Sequence, residues 1–407
     1  MNMETRKCCA EAVRKRYHAS TKEAKSLILD EFCNNCGYNR KYAIRLLAKK
    51  PKSATKAADP GSGLVRPILA GRRPTYRSES FTAFVVSVWK VSNCICGKRL
   101  VECLPNFARY YDPSLSADEI ALASTVSAAT LDRILAPYKL NASRLGWSTT
   151  RPGSLLKKQI PIKTNQWDET KPGFVEADTV AHNGGIVSGT YAYTLNLVDI
   201  ATGWTVQRAL WGKGQYTCFE ALREIERILP FSLKGFDSDN GSEFINYHIL
   251  EFFSDRKAPV QYTRSRPYMK NDNAHIEQKN WTQVRQILGY MRFDNPDIIP
   301  LMNDLYENEL YILNNFFIPS FKLMSKTRVG SKVIKTHDKP KTPFERLLET
   351  GTLPSYRVKS LKKFVESINP YDLSKQIVIK VNKILSLATR ELPNRGIITL
   401  KPSKKKT

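Results

Sequence analysis

Between residues 173 and 290 the chain adopts a rhythm that few folds can accommodate. Three runs rich in β-forming residues, 174–180, 191–200 and 204–211, follow one another, with Ala201-Thr202-Gly203 as the turn between the second and third. Helical and strand-like stretches then alternate: helix at 216–229, strand at 233–237, helix at 242–254, strand at 260–263 and helix at 274–289. Three strands followed by this alternation predict an α/β core built on a mixed five-stranded sheet.

The flanks read differently. Ser20 and Glu23 have the spacing of a capping box and open a helix with Ala24, Leu27, Ile28 and Phe32 inward. Gly37 ends it, and Asn39 caps a second helix holding Tyr42, Ala43, Leu46 and Leu47. With Arg40, Lys41 and Arg45 on the second helix, residues 1–50 read as a helix-turn-helix DNA-binding module; an αα-hairpin with a solvated basic face is the alternative. Residues 51–76, broken by Pro and Gly, read as a linker in which Arg72 and Arg73 form either a minor-groove arm or a plain tether. A second helical module is expected over 77–150, with a Ser116–Glu119 capping box, a Ser127 cap, Leu131, Ile134 and Leu135 inward, and Arg133 facing DNA. A linker at 151–172 leads into the α/β core. Beyond it come a helical extension (291–330), a Lys-rich break at 325–341 and a small basic C-terminal region (331–407), where Thr342, Pro343 and Glu345 mark a helix start.

Charge follows the same partition. Residues 1–76 carry +11, 77–172 carry +5, the core 173–290 carries −1, and 291–407 carry +11, giving the overall +26. A nearly neutral, acid-containing centre between basic flanks suits a protein that grips a polyanion with its ends and works on it with its middle. No apolar run approaches the roughly 20 residues of a membrane span, and Met1–Cys9 lacks the apolar stretch of a signal peptide. A cytoplasmic, nucleoid-associated protein with its eight cysteines reduced is therefore expected. Cys33 and Cys36 have no second ligand pair nearby, so zinc is not expected.

Three carboxylates stand out by position. Asp178 lies inside the first strand, where a buried charge needs a partner or a cation. Asp239 follows the fourth strand beside an Asn-Gly turn, and Glu277 sits early in the last helix. If the first and fourth strands are neighbours, Asp178 and Asp239 face each other and a helix packed on the sheet can bring Glu277 to them. Oxygen-only ligands suit Mg²⁺ or Mn²⁺, and two such ions promote in-line displacement at phosphorus. Asn280 shares a helix face with Glu277 and, with His275, is a candidate substrate contact. Asp237, two residues before Asp239, can share its strand face, but Asp239 is the expected ligand; Asp199 is expected in a turn, and Glu243 at a helix start, stabilised by the helix dipole.

The segments Glu176-Ala177-Asp178-Thr179, Ser238-Asp239-Asn240-Gly241-Ser242-Glu243-Phe244 and Arg266-Pro267-Tyr268 through Glu277 to Asn280 resemble the catalytic core of DDE transposases and retroviral-type integrases. Val198-Asp199-Ile200-Ala201-Thr202-Gly203-Trp204 resembles that core's turn between second and third strands. The flanking helical modules and Thr342–Leu348 resemble the layout of bacterial insertion-sequence transposases. The resemblance implies a ribonuclease-H-like fold, catalytic acids at Asp178, Asp239 and Glu277, two Mg²⁺ ions, and cleavage at element ends followed by strand transfer. It also implies double-stranded DNA as partner and a homo-oligomer that handles two ends together. Departures are visible: 37 residues separate Asp239 from Glu277, slightly more than is common in the family, and Trp281 and Val284 stand where retroviral integrases carry basic residues. A DNA-binding regulator without cutting activity, or a nuclease that does not join, are the alternative readings.

Overall fold

The computed structural model describes residues 3–48, 78–139, 169–239, 241–264, 274–329 and 332–388. It divides into two compact units, Met1–Arg73 and Pro74–Thr407. The linker 51–76 with Arg72 and Arg73, most of the segment 151–172, the side chain of His275 and the basic tail lie outside the described residues.

The first unit holds three helices, α1 (Met3–Ala19), α2 (Lys22–Cys36) and α3 (Arg40–Leu47). Thr21, not Ser20, caps α2, its hydroxyl accepting from the Ala24 amide. Ile28 and Phe32 face inward as expected, joined by Leu29 and Cys36, while Leu27 is 72% exposed. Gly37 takes φ +67° and closes the helix with its N–H on the Cys33 carbonyl. Asn39 caps α3, which buries Ala43 and Leu47 while Tyr42 stays exposed.

The second unit begins with α4 (Glu79–Val91), α5 (Gly97–Ala108), α6 (Ala117–Thr125) and α7 (Ala128–Leu135). Ser116 and Glu119 form the reciprocal capping box of α6, and Ser127 caps α7. These helices do not stand apart as a module. Phe81, Phe84, Leu104, Phe107, Leu131 and Leu135 belong to one continuous apolar core with the sheet and its helices, where Phe107 meets Phe317 edge-on at 6.1 Å.

The sheet comprises β1 (Phe174–Ala181), β2 (Ala192–Asp199), β3 (Thr205–Trp211), β4 (Gly235–Ser238) and β5 (Gln261–Arg264), in the order β3-β2-β1-β4-β5. The first three strands are antiparallel, and β4 and β5 run parallel to β1. Order and direction together are those of a ribonuclease-H-like core. Gly203, at φ +73°, lets the chain turn from β2 into β3. Between β3 and β4 lies α8 (Gln215–Ile228), and between β4 and β5 lies α9 (Tyr247–Ser254), which starts five residues later than its sequence suggests. Phe236 of β4 anchors an aromatic cluster with Phe253 at 5.2 Å and Tyr262 at 5.7 Å.

After β5 the chain forms α10 (Ala274–Lys279), a π-helical stretch (Asn280–Arg285) and α11 (Gln286–Leu288). A second core, around Leu288, Phe293, Met302 and Tyr306, joins α11 to α12 (Ile298–Leu305). The expected Lys-rich break is a hairpin of β6 (Leu323–Val329) and β7 (Lys332–His337). Met324 and Ile334 are exposed on it, so the buried/exposed alternation that betrays a strand is missing from its sequence. Pro343 then opens α13 (Pro343–Glu349), with Thr342 and Glu345 as a capping box, followed by α14 (Ser355–Glu366) and α15 (Pro370–Ser386). Among the described residues no helix is long and apolar enough to cross a membrane.

Candidate active site

The strand register decides which side chains can meet. Ala177 pairs with Ser238 across the parallel β1–β4 ladder, so Asp178 and Asp239, each one residue further on, reach the same level on neighbouring strands. Asp239 is held in its turn by the Gly241 amide, which donates to Oδ1 at 2.8 Å. Asp178 receives the Thr179 amide on Oδ1 at 2.7 Å and the Asn280 amide on Oδ2 at 2.7 Å. Two carboxylates drawn from water and facing each other resist ionisation. Burial first and the charge of Asp239 second push the Asp178 carboxyl up to about 8. Asp239 is likewise raised, by burial and by Glu243.

Glu243 is the residue the sequence misplaced. It lies four residues before α9, fully buried, rather than in a first helical turn. Its Oε1 takes a 2.7 Å ion pair from Lys213 and a 3.0 Å hydrogen bond from the Thr179 hydroxyl, while Oε2 has no hydrogen-bond partner. The carboxylate folds back over Gly241, where a Cβ would stand 2.5 Å from Oε2 and would displace the Glu243 carboxylate. Lys213 draws both aspartates toward ionisation, against the push of Glu243. A charged residue immediately before the apolar pair Phe244–Ile245, and a lysine between Gly212 and Gly214, were the available signals.

The third expected acid, Glu277, is exposed on α10. The helix is docked on the sheet through its neighbours: the Ile276 amide donates to the buried Glu176 carboxylate at 3.1 Å, and Asn280 reaches Asp178. Among the described residues, no three His, Cys, Asp or Glu side chains stand together in a way that could hold a metal ion. The structure therefore brings Asp178 and Asp239 together, adds Glu243 and Lys213 beside them, and does not gather Glu277 with the pair.

The remaining expected residues find definite places. Asp237 is buried and accepts the Thr263 hydroxyl at 2.5 Å. Asp199 shapes the β2–β3 turn, accepting from the Gly173 amide and from the amide and hydroxyl of Thr202. Arg40 pairs with Asp30 and with the Ser26 hydroxyl, so its charge is partly spent inside the first unit. Lys41 and Arg45 are exposed on α3, and Arg133 is exposed on α7. All eight cysteines are free thiols.

No family model matches the chain. The uncharacterized protein y4rM of Sinorhizobium fredii (strain NBRC 101917 / NGR234) is 35% identical over 353 residues, covering 85% of this chain and 96% of that protein. Among solved structures, the catalytic core domain of BIV integrase aligns with 44% of this chain and 95% of that core, at 12% identity and a TM-score of 0.28.

Proposed function

The chain belongs to the same family as the rhizobial protein y4rM, and from the chemistry of its acid pair we propose that it is a DDE-type transposase that cuts and joins double-stranded DNA. The observation that carries this reading is the pairing of Asp178 and Asp239 at one level of a ribonuclease-H-like sheet, both resisting ionisation. Oxygen-only donors that repel one another fit a hard divalent cation, Mg²⁺ or Mn²⁺. Asp178 and Asp239 are its first holders. Glu277, exposed one turn before Asn280 on the helix anchored to Asp178, would join them only by turning toward the pair when the cation binds; positions three apart on a helix stand about 5–6 Å apart at Cβ. Two bound ions would supply the charge that activates the attacking oxygen and stabilises the departing one at phosphorus.

The chain's own residues do the rest. Thr179 and Asn280 orient the Asp178 carboxylate, Gly241 fixes Asp239, and Lys213 with Glu243 sets the local charge. Lys41, Arg45 and Arg133, together with Arg72 and Arg73, contact DNA phosphates, and binding weakens steeply with salt because counterions are released. Two-ended chemistry calls for a homo-oligomer. The test is Asp239→Asn: Mg²⁺-dependent joining of end-containing DNA is lost while DNA binding persists. Retained joining removes Asp239 from the mechanism, and cutting without joined products in the unmodified protein makes it a nuclease.

A further inference from the structure

A row of buried amides runs across the sheet and ends on the acid pair. Asp178 pairs directly with Asn196 of β2, and Asn196 pairs directly with Gln207 of β3. Directly opposed residues of antiparallel strands project from the same face, so these three side chains form one line perpendicular to the strands. Asn196 and Gln207 are almost completely buried, in strands whose other members are largely apolar.

The hydrogen bonds along the row all point one way. Gln207 Nε2 donates to Asn196 Oδ1 at 3.0 Å, and Asn196 Nδ2 donates to Asn280 Oδ1 at 2.8 Å. Asn280 Nδ2 then donates to Asp178 Oδ2 at 2.7 Å. Gln207 also donates to Gln283 Oε1 at 2.8 Å, so both its donors are in use, while its own Oε1 has no partner. Leaving a buried carbonyl unsatisfied costs free energy, and turning the amide over would set oxygen against oxygen at both Asn196 and Gln283. The row is thus locked in the sense that presents N–H groups toward Asp178, and aligned amides polarise one another. Asn280 and Gln283 come from the π-helical stretch, a helix form that recurs at functional sites because it re-aims side chains.

We propose that Gln207 and Asn196 are positioning residues: acting through Asn280, they fix the Asp178 carboxylate in the orientation that receives the cation. The inference rests on the reading of Asp178 as a metal-holding acid. A plain structural role would be to glue the helix onto the sheet, and the two roles separate at Gln283. That residue bonds the helix to Gln207 but lies off the line to Asp178.

The test is Mn²⁺ titration of the full chain, followed by electron paramagnetic resonance, with denaturation midpoints measured alongside. Asp178→Asn should abolish the site. Gln207→Met, which keeps the volume but removes both donors, should weaken Mn²⁺ binding about tenfold, whereas Gln283→Met should leave it within about twofold at a comparable loss of stability. Should Gln207→Met fail to fold, Asn196→Leu interrupts the same line and should give the same tenfold loss. Unchanged Mn²⁺ affinity in a folded Gln207 or Asn196 variant overturns the inference, as does equal weakening by Gln207→Met and Gln283→Met. If the unmodified chain shows no Asp178-dependent Mn²⁺ site, the reading of the acid pair fails first and the positioning role falls with it.

Discussion

Asp178→Asn should gain stability on the unmodified, metal-free protein as pH rises. The Asp178 carboxyl ionises at about 8 in the fold against 3.8 for an ordinary aspartate. A carboxyl whose folded value lies above its unfolded value costs nothing below the unfolded value. The cost grows through the window between the two and is complete above the folded value. At pH 7 about 3 units of that window have been crossed, a ceiling of about 4 kcal/mol. Asp239 shares the repulsion, so one substitution recovers part of it, about 2 kcal/mol. Asparagine keeps an acceptor for the Thr179 amide but sets its N–H against that of Asn280, a cost of about 1–3 kcal/mol that does not vary with pH. Urea denaturation in EDTA, followed by tryptophan emission, should show the variant the weaker protein at pH 4 and gaining on the unmodified chain up to pH 8. Saturating Mg²⁺ should offset that gain by stabilising only the unmodified chain. A variant that is less stable by the same amount at every pH would mean that Asp178 is a structural anchor and not a strained acid.

Other substitutions probe the surroundings. Glu243→Gln releases Lys213 and removes a negative charge from beside both aspartates, so the pH window of the Asp178 effect should end lower in the same denaturation series. Asp199, raised to about 6 chiefly by burial, weakens the fold as pH climbs from about 4 to 6. Asp199→Asn loses an acceptor for Thr202 and should cost about 1–3 kcal/mol at pH 4, with a smaller gap at pH 7. Phe236→Ala empties the centre of the aromatic cluster and should cost about 3–5 kcal/mol in urea unfolding. Exchanging Lys41 and Arg45 for Gln should lower the salt dependence of DNA binding in fluorescence anisotropy without changing the acid pair.

Local signals carried much of the architecture. The strands and the capping boxes at Ser116–Glu119 and Thr342–Glu345 all lie in short stretches whose chemistry is self-contained, whereas the adjacency of β1 and β4 pairs distant segments and entered the reading only as a condition. Ser20 and Thr21 are both good caps, and neither says which side of α2 meets the core: packing against α1 and α3 buries Leu29 and Cys36 beside Ile28 and Phe32 and leaves Leu27 out. The helix α1, with charges around its length, offered no apolar stripe, and the β6–β7 hairpin offered no alternation. Around the acids, the limit was parity. Asn196 and Gln207 join Asp178 only because the register sets them on one face, and a slip of one residue would send either to the other side. Glu243 and Lys213 meet across a distance in sequence that no helical or strand period links.

The pairing of Asp178 with Asp239 around a divalent cation is tested most directly by soaking crystals of the protein in Mn²⁺ and collecting anomalous diffraction. A peak bridging the two carboxylates, at about the 2.0–2.2 Å expected for a small hard cation, is the predicted result, with Glu277 drawn toward it. A peak elsewhere, or none between these two side chains at saturating Mn²⁺, contradicts the metal-dependent chemistry proposed for this chain.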